Sequence, residues 1–324
     1  MLSLYRIRFV WAPAPENRGL EAIRWTAGSP LNLIPNGEKM NDHAVDCRGL
    51  TIHAVEWPGP SDRTILLHHG FLDHARSWDP VARILAGSCR VIAIDARGHG
   101  DSGWIGKGGY YYFQDYVFDV ADVMDALVRG PAVLVGHSMG GMVCCLLSGT
   151  YPERVKAVVS IEGAGPPACE PTEAPRLMAG WISGVRKARS KPSHPMSDVK
   201  EAAQRLKSYN PRISESFAHH LAVHGTRTAE DGAGLVWKFD PVHRTRGPQP
   251  FYLEQARAFW LKVAAPALLV RGGLSPFRWD ASEERECIPS AERTEIEGAG
   301  HMVHHEQPDR LAAAILTFLS SLPG

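Results

Sequence analysis

Three short runs of uninterrupted apolar residues, Ile65-Leu66-Leu67, Val91-Ile92-Ala93-Ile94 and Val133-Leu134-Val135, limit what this chain can become. A strand with one wet face alternates apolar and polar side chains, so a strand that does not alternate needs cover on both faces. These runs lie within β-rich stretches at 64–68, 90–95 and 132–136, and others follow the same logic at 49–56, 155–161, 267–270 and 293–296. Between them the apolar spacing becomes helical, at 78–86, 115–128, 139–150 and 308–319. Strands alternating with helices predict the α/β class, with a mostly parallel central sheet flanked by helices.

The alternation holds over 42–164 and 263–324 and fails over 165–262, which is rich in Pro, Arg and His. Helical pieces are legible there at 176–187, 198–208 and 214–223, but no buried strand. A structureless loop of about a hundred residues would be anomalous, so the stretch is expected to be an inserted helical lid. Residues 1–41 form an N-terminal extension of unassigned role, broken by Pro13, Pro15, Pro30 and Pro35 and ending near a second possible start, Met40. Its first residues carry Arg6 and Arg8 within the apolar stretch and lack the h-region of a secretory signal.

Composition removes whole classes of partner. Lys plus Arg number 35 and Asp plus Glu 35, so no net field draws the chain to nucleic acid or an acidic membrane surface. No apolar run reaches the ~18–20 residues of a membrane span. The six cysteines form no CxxC pair, which fits reduced thiols and a cytoplasmic location. The expected partner is a small-molecule substrate, with no cofactor. His68, His69, Asp73 and His74 are potential ligands, but their spacing is not that of a dinuclear-zinc motif and the sequence has no further ligand cluster, so no metal is expected.

Chemistry enters at Gly136-His137-Ser138-Met139-Gly140, a G-x-S-x-G pattern that follows an apolar strand and opens a helix. A serine at such a turn has a strained backbone and projects its hydroxyl above the sheet edge. The helix N-terminus behind it favours negative charge nearby. Together with His69-Gly70 upstream and His301 near the C-terminus, this pattern resembles the α/β-hydrolase superfamily over residues 42–319. The likeness is strongest to its lidded branch of esterases, carbon–carbon bond hydrolases and serine hydrolase-like proteins.

The resemblance implies a Ser-acid-His triad, with Ser138 as nucleophile and His301, in Gly298-Ala299-Gly300-His301, as base. It also implies an oxyanion hole made by the backbone N–H groups of Phe71 and Met139. His304 and His305 are expected to be lid or surface contacts. The acid departs from the usual pattern. After the strand at 267–270 the chain reads Arg271-Gly272-Gly273-Leu274-Ser275-Pro276, and no carboxylate fills the expected slot. Asp280 is the next candidate, but Glu283 three residues on gives it the look of a helix N-cap. Glu162, at the end of the strand 155–161, is preferred, because some members carry the acid there and its strand end shares a rim with Ser138.

His137 and Trp237 are the candidate substrate-contacting side chains. The expected activity is hydrolysis of an ester or related acyl bond through an acyl-enzyme. The alternatives are carbon–carbon hydrolysis of a vinylogous diketone and a non-catalytic hydrolase-fold receptor.

Overall fold

The computed structural model describes residues 40–163, 169–190, 194–249, 251–276 and 288–322. Eight strands form one sheet in the order β1 (Asn41–Cys47), β2 (Leu50–Trp57), β4 (Arg90–Ile94), β3 (Thr64–His68), β5 (Ala132–His137), β6 (Val155–Ile161), β9 (Ala267–Gly272) and β10 (Glu292–Ile296). The pairs β1–β2 and β2–β4 are antiparallel, and β4–β3, β3–β5, β5–β6, β6–β9 and β9–β10 are parallel. The sheet is therefore mostly parallel, as expected.

Strand periodicity divides the core into two. Leu66, Ile92, Leu134, Val158 and Leu269 point to one face and pack with Val120, Val123 and Met124 of α2 (Phe113–Leu127) and Val143, Cys144 and Leu147 of α3 (Met139–Thr150). Their neighbours Ile65, Leu67, Val91, Val133, Val135, Val159 and Leu268 point the other way. They meet Val81 and Leu85 of α1 (Asp79–Leu85) and Leu311, Ile315 and Phe318 of the C-terminal helix Pro308–Ser321. Helices on both faces explain why the central strands read as continuous apolar runs.

Strand β1 departs from the sequence reading, which begins its β pattern later. As an antiparallel edge strand with only Val45 and Cys47 buried, it tolerates Asp42, His43 and Asp46, and so gives no apolar run.

Between β6 and β9 lie α4 (Ala174–Ser190), α5 (Val199–Tyr209), α6 (Glu215–Gly225), a two-stranded ribbon of β7 (Thr226–Thr228) and β8 (Leu235–Trp237), and α7 (Leu253–Trp260). The ribbon's three-residue strands are too short to show a period, and the sequence reading contains only helices there. This insert has a small core of its own around Met196, Ala202, Ile213, Ala218 and Leu221. The Asp198 and Ser214 side chains cap α5 and α6 by accepting from the amides of Glu201 and Phe217. Among the described residues no helix is long and apolar enough to cross a membrane.

Chain order places β4 on one side of β3 and β5 on the other, so the strand ends of β3 and β5 flank a topological switch point, where α/β sheets open a crevice. Replacing the fully buried Leu66 of β3 by Ala should cost about 2–5 kcal/mol of unfolding free energy. A urea titration followed by far-UV circular dichroism checks this; a loss below about 1 kcal/mol would mean the sheet centre repacks freely.

Candidate active site

Five non-glycine residues among those described have positive φ, and three stand at the C-terminal rim of the sheet: Leu72 (60°), Ser138 (51°) and Glu162 (54°). Such backbone costs of order 1–3 kcal/mol per residue and persists where surrounding bonds over-determine it. Here the ladder does so. The Ser138 amide donates to the Ile161 carbonyl at 2.8 Å, and the Glu162 amide to the Val270 carbonyl at 2.9 Å. Ser138 thus closes β5 and opens α3. A Cβ on Gly136 would overlap the Gly140 carbonyl, so the turn around the serine admits only glycine there.

His137 pairs with Ile161 across β5 and β6, so Ser138 and Glu162 emerge from adjacent strand ends. The Glu162 side chain is fully buried. Its Oε1 accepts from the Gly272 amide at 2.8 Å and its Oε2 from the Ser275 hydroxyl at 2.6 Å. The same Oε2 lies 3.2 Å from Nδ1 of His301. Asp280, the other candidate acid, lies outside the described residues, as does the stretch 281–287 whose sequence suggests a helix.

His301 is delivered by the turn after β10. The buried Glu306 carboxylate accepts from the Gly300 amide at 2.7 Å and, with its other oxygen, from Asn210 Nδ2 at 3.2 Å, which ties that turn to the insert. His137 Nε2–H donates to the His301 carbonyl at 2.8 Å, and the two rings lie 4.8 Å apart. His137 is therefore buried beneath the site rather than exposed on a pocket wall. Burial, and then the neighbouring His304 and His301, push its pKa well below the ordinary value, so it is neutral. Trp237 is half-buried on β8, packs on the insert's own core and stacks 6.2 Å from Phe239.

Gly70 is the other close approach. A Cβ there would stand 2.6 Å from His137 Nδ1 and 3.3 Å from the Ser138 Cβ, so the Gly70-Phe71 backbone runs directly beside the serine. His69 Nε2 accepts from the Ala96 amide at 2.9 Å, leaving Nδ1–H to donate to the Gly70 carbonyl at 2.6 Å. Because the peptide is planar and trans, holding that carbonyl turns the Phe71 N–H to the opposite edge. Met139 is the first residue of α3, where an N–H has no partner within the helix. The Asp95 loop braces this arrangement: Asp95 accepts from the Ala75 amide at 2.6 Å, and His99 Nε2 accepts from the Leu72 amide at 3.2 Å.

Residues 65–314 match the Alpha/beta hydrolase family. The chain belongs to that family. The hydrolase is 28% identical over 276 residues to a serine hydrolase-like protein of Danio rerio, covering 81% of this chain and 83% of the relative. It is 29% identical over 264 residues to an esterase of Mycobacterium tuberculosis, covering 80% and 83%. Among solved structures, the thioesterase domain from the curacin biosynthetic pathway matches with a TM-score of 0.76 at 28% identity, covering 86% of this chain and all of that one.

Two expectations need correction. His304 is not a surface group but fully buried, whereas His305 is partly buried and does contact the insert, its ring 5.5 Å from that of Phe217 on α6; each Nε2 lies 3.1 Å from Oδ2 of Asp73, which also accepts from Ser77. Burial pushes the Asp73 carboxyl up, but the facing His305 and hydrogen bonds from both histidines hold it well below its usual range. No second cluster of metal-ligand type is visible in the sequence, yet these three residues form one. It escapes notice because Asp73 and His304 are 231 positions apart. The donor types suit a divalent metal, but a ligating histidine normally donates its other N–H, and His304 Nδ1 has no partner among the described residues. The cluster fits a hydrogen-bonded anchor between the loop after β3 and the helix Val303–Glu306 better than a metal centre.

Burial lowers several histidines in the hydrolase from 6.5: His68, His243 and His304 to about 3, and His99 and His137 well below it. The unfolded chain takes up these protons near pH 6.5 and the folded chain does not, so stability is full above that pH and is lost as pH falls toward 3. His53, which burial lowers but the facing Asp95, Asp42 and Asp101 raise on balance, works in the opposite sense, but it is one group against several. Urea midpoints should therefore fall steadily from pH 7 to pH 5, whereas a flat profile would mean that these rings protonate without unfolding.

Proposed function

We propose that this hydrolase cleaves an ester or related acyl bond of a small molecule through an acyl-enzyme. Ser138 is the nucleophile, His301 the general base and Glu162 the acid that orients it. The amides of Phe71 and Met139 hold the oxyanion. The observation that carries this reading is the 3.2 Å approach of a buried Glu162 oxygen to His301 Nδ1, on the rim where the strained Ser138 stands. Similarity to an esterase and to a thioesterase domain supports the acyl bond as target.

In this mechanism Glu162 fixes the tautomer with the proton on Nδ1, so that the lone pair on Nε2 accepts the Ser138 proton. The Ser138 oxygen bonds to the acyl carbon, and the carbonyl electrons move to an oxyanion that the two amides bind. Collapse expels the alcohol or thiol, which takes the proton from His301. Water then repeats the sequence and frees the acid and Ser138. Residues 165–262 serve as the lid over this rim. The free thiols of the described cysteines fit a reducing compartment such as the cytoplasm.

A fluorophosphonate probe should label the protein, and Ser138→Ala should abolish labelling. Folded wild-type protein that resists the probe would favour a non-catalytic receptor. Glu162→Gln should lower kcat on p-nitrophenyl esters by up to about 10⁴-fold with the fold intact, because the amide favours the wrong imidazole tautomer. Turnover near wild type would remove Glu162 from the triad.

A further inference from the structure

The sequence has a hydroxyl where the resemblance calls for a carboxylate, and the structure shows what that hydroxyl touches. Ser275 Oγ donates at 2.6 Å to Oε2 of Glu162, the same oxygen that lies 3.2 Å from His301 Nδ1. The segment that carries Ser275 is tied to the segment that carries His301. The Gly273 amide donates to the Ile296 carbonyl at 2.9 Å, the Leu274 amide to the Ala299 carbonyl at 2.8 Å, and the Ser275 amide to the Gly272 carbonyl at 2.9 Å. The Gly272 amide holds the other Glu162 oxygen at 2.8 Å. The last residue of β9 and the loop just beyond it thus grip both oxygens of a carboxylate rooted on β6, and that loop is anchored two residues from the imidazole that this carboxylate faces.

We propose that Ser275 is a positioning residue that holds the Glu162 carboxylate in the orientation His301 requires, so that β6 supplies the charge of the triad and the loop after β9 supplies its alignment. The proposal rests on Glu162 acting as the acid. A buried carboxylate oxygen that loses a donor rotates toward whatever donors remain, and its negative charge is less spread. Without the Ser275 hydroxyl, Oε2 keeps His301 but loses the bond that fixes its direction. The less satisfied carboxylate binds a proton more readily and also stabilises imidazolium more strongly. Both changes move the acid limb of activity in the same direction, to higher pH. A residue that merely filled space would change neither the protonation of His301 nor that of Glu162.

The test measures kcat, KM and the pH profile of p-nitrophenyl butyrate hydrolysis for Ser275→Ala, Ser275→Cys and Ser275→Thr, beside Glu162→Gln. The rate of fluorophosphonate labelling against pH provides a second readout that does not depend on substrate choice. Ser275→Ala should lower kcat and the labelling rate about tenfold or more, with KM little changed and the acid limb shifted upward. Ser275→Cys, close in volume but a weak donor, should behave as Ser275→Ala does and covers the case in which the alanine variant does not fold. Ser275→Thr, which keeps the hydroxyl, should restore most of the rate. Unchanged turnover and an unmoved acid limb in folded Ser275→Ala or Ser275→Cys, with Glu162→Gln inactive, would overturn the role of Ser275 alone. Full turnover in Glu162→Gln would overturn both the triad reading and this proposal.

Discussion

A carboxylate shut away from water must find its donors within the protein, and at Glu162 this requirement organises the whole rim. Its donors come from the end of β9, from the loop beyond it and from the turn after β10. Each is far from Glu162 in sequence, so a side chain on one strand end fixes two neighbouring strand ends. Since β5 and β6 are in register at His137 and Ile161, the same contacts set where Ser138 stands relative to His301. The apolar sheet beneath provides the stiffness. With layers of buried residues on both faces, it leaves the strand ends little freedom to relax, and strained backbone at Leu72, Ser138 and Glu162 can be carried there.

Much of the fold is legible in the sequence because burial leaves a strong signature. Strands β3 and β6, covered on both faces, have the same limits in the sequence reading as in the structure. The signature fades where burial is partial. Strand β1 alternates poorly because it lies at the edge, and the β7–β8 ribbon is too short to show any period. The G-x-S-x-G motif locates its turn because the steric demand at Gly136 is local.

The rim is legible only in part. Glu162 stands out as a candidate because a strand end defines its position, whereas Ser275 at the slot after β9 is a neutral hydroxyl whose bond to Glu162 no local pattern reveals. The grouping of Asp73 with His304 and His305 exists only after the ends of β3 and β10 are brought together, and no local pattern announces it. His137 is a plain case of a residue whose motif position suggests substrate contact while its packing gives it another task. Its ring supports the backbone of His301 from below.

Glu306 joins two parts of the molecule that have separate cores. One of its oxygens shapes the bend that presents His301, and the other is held by Asn210 at the end of α5. The insert and the imidazole are consequently not mechanically independent. Transplanting a different insert onto this sheet would have to reproduce a donor at the Asn210 position, or the graft would slacken the bend even though every residue of the rim had been kept.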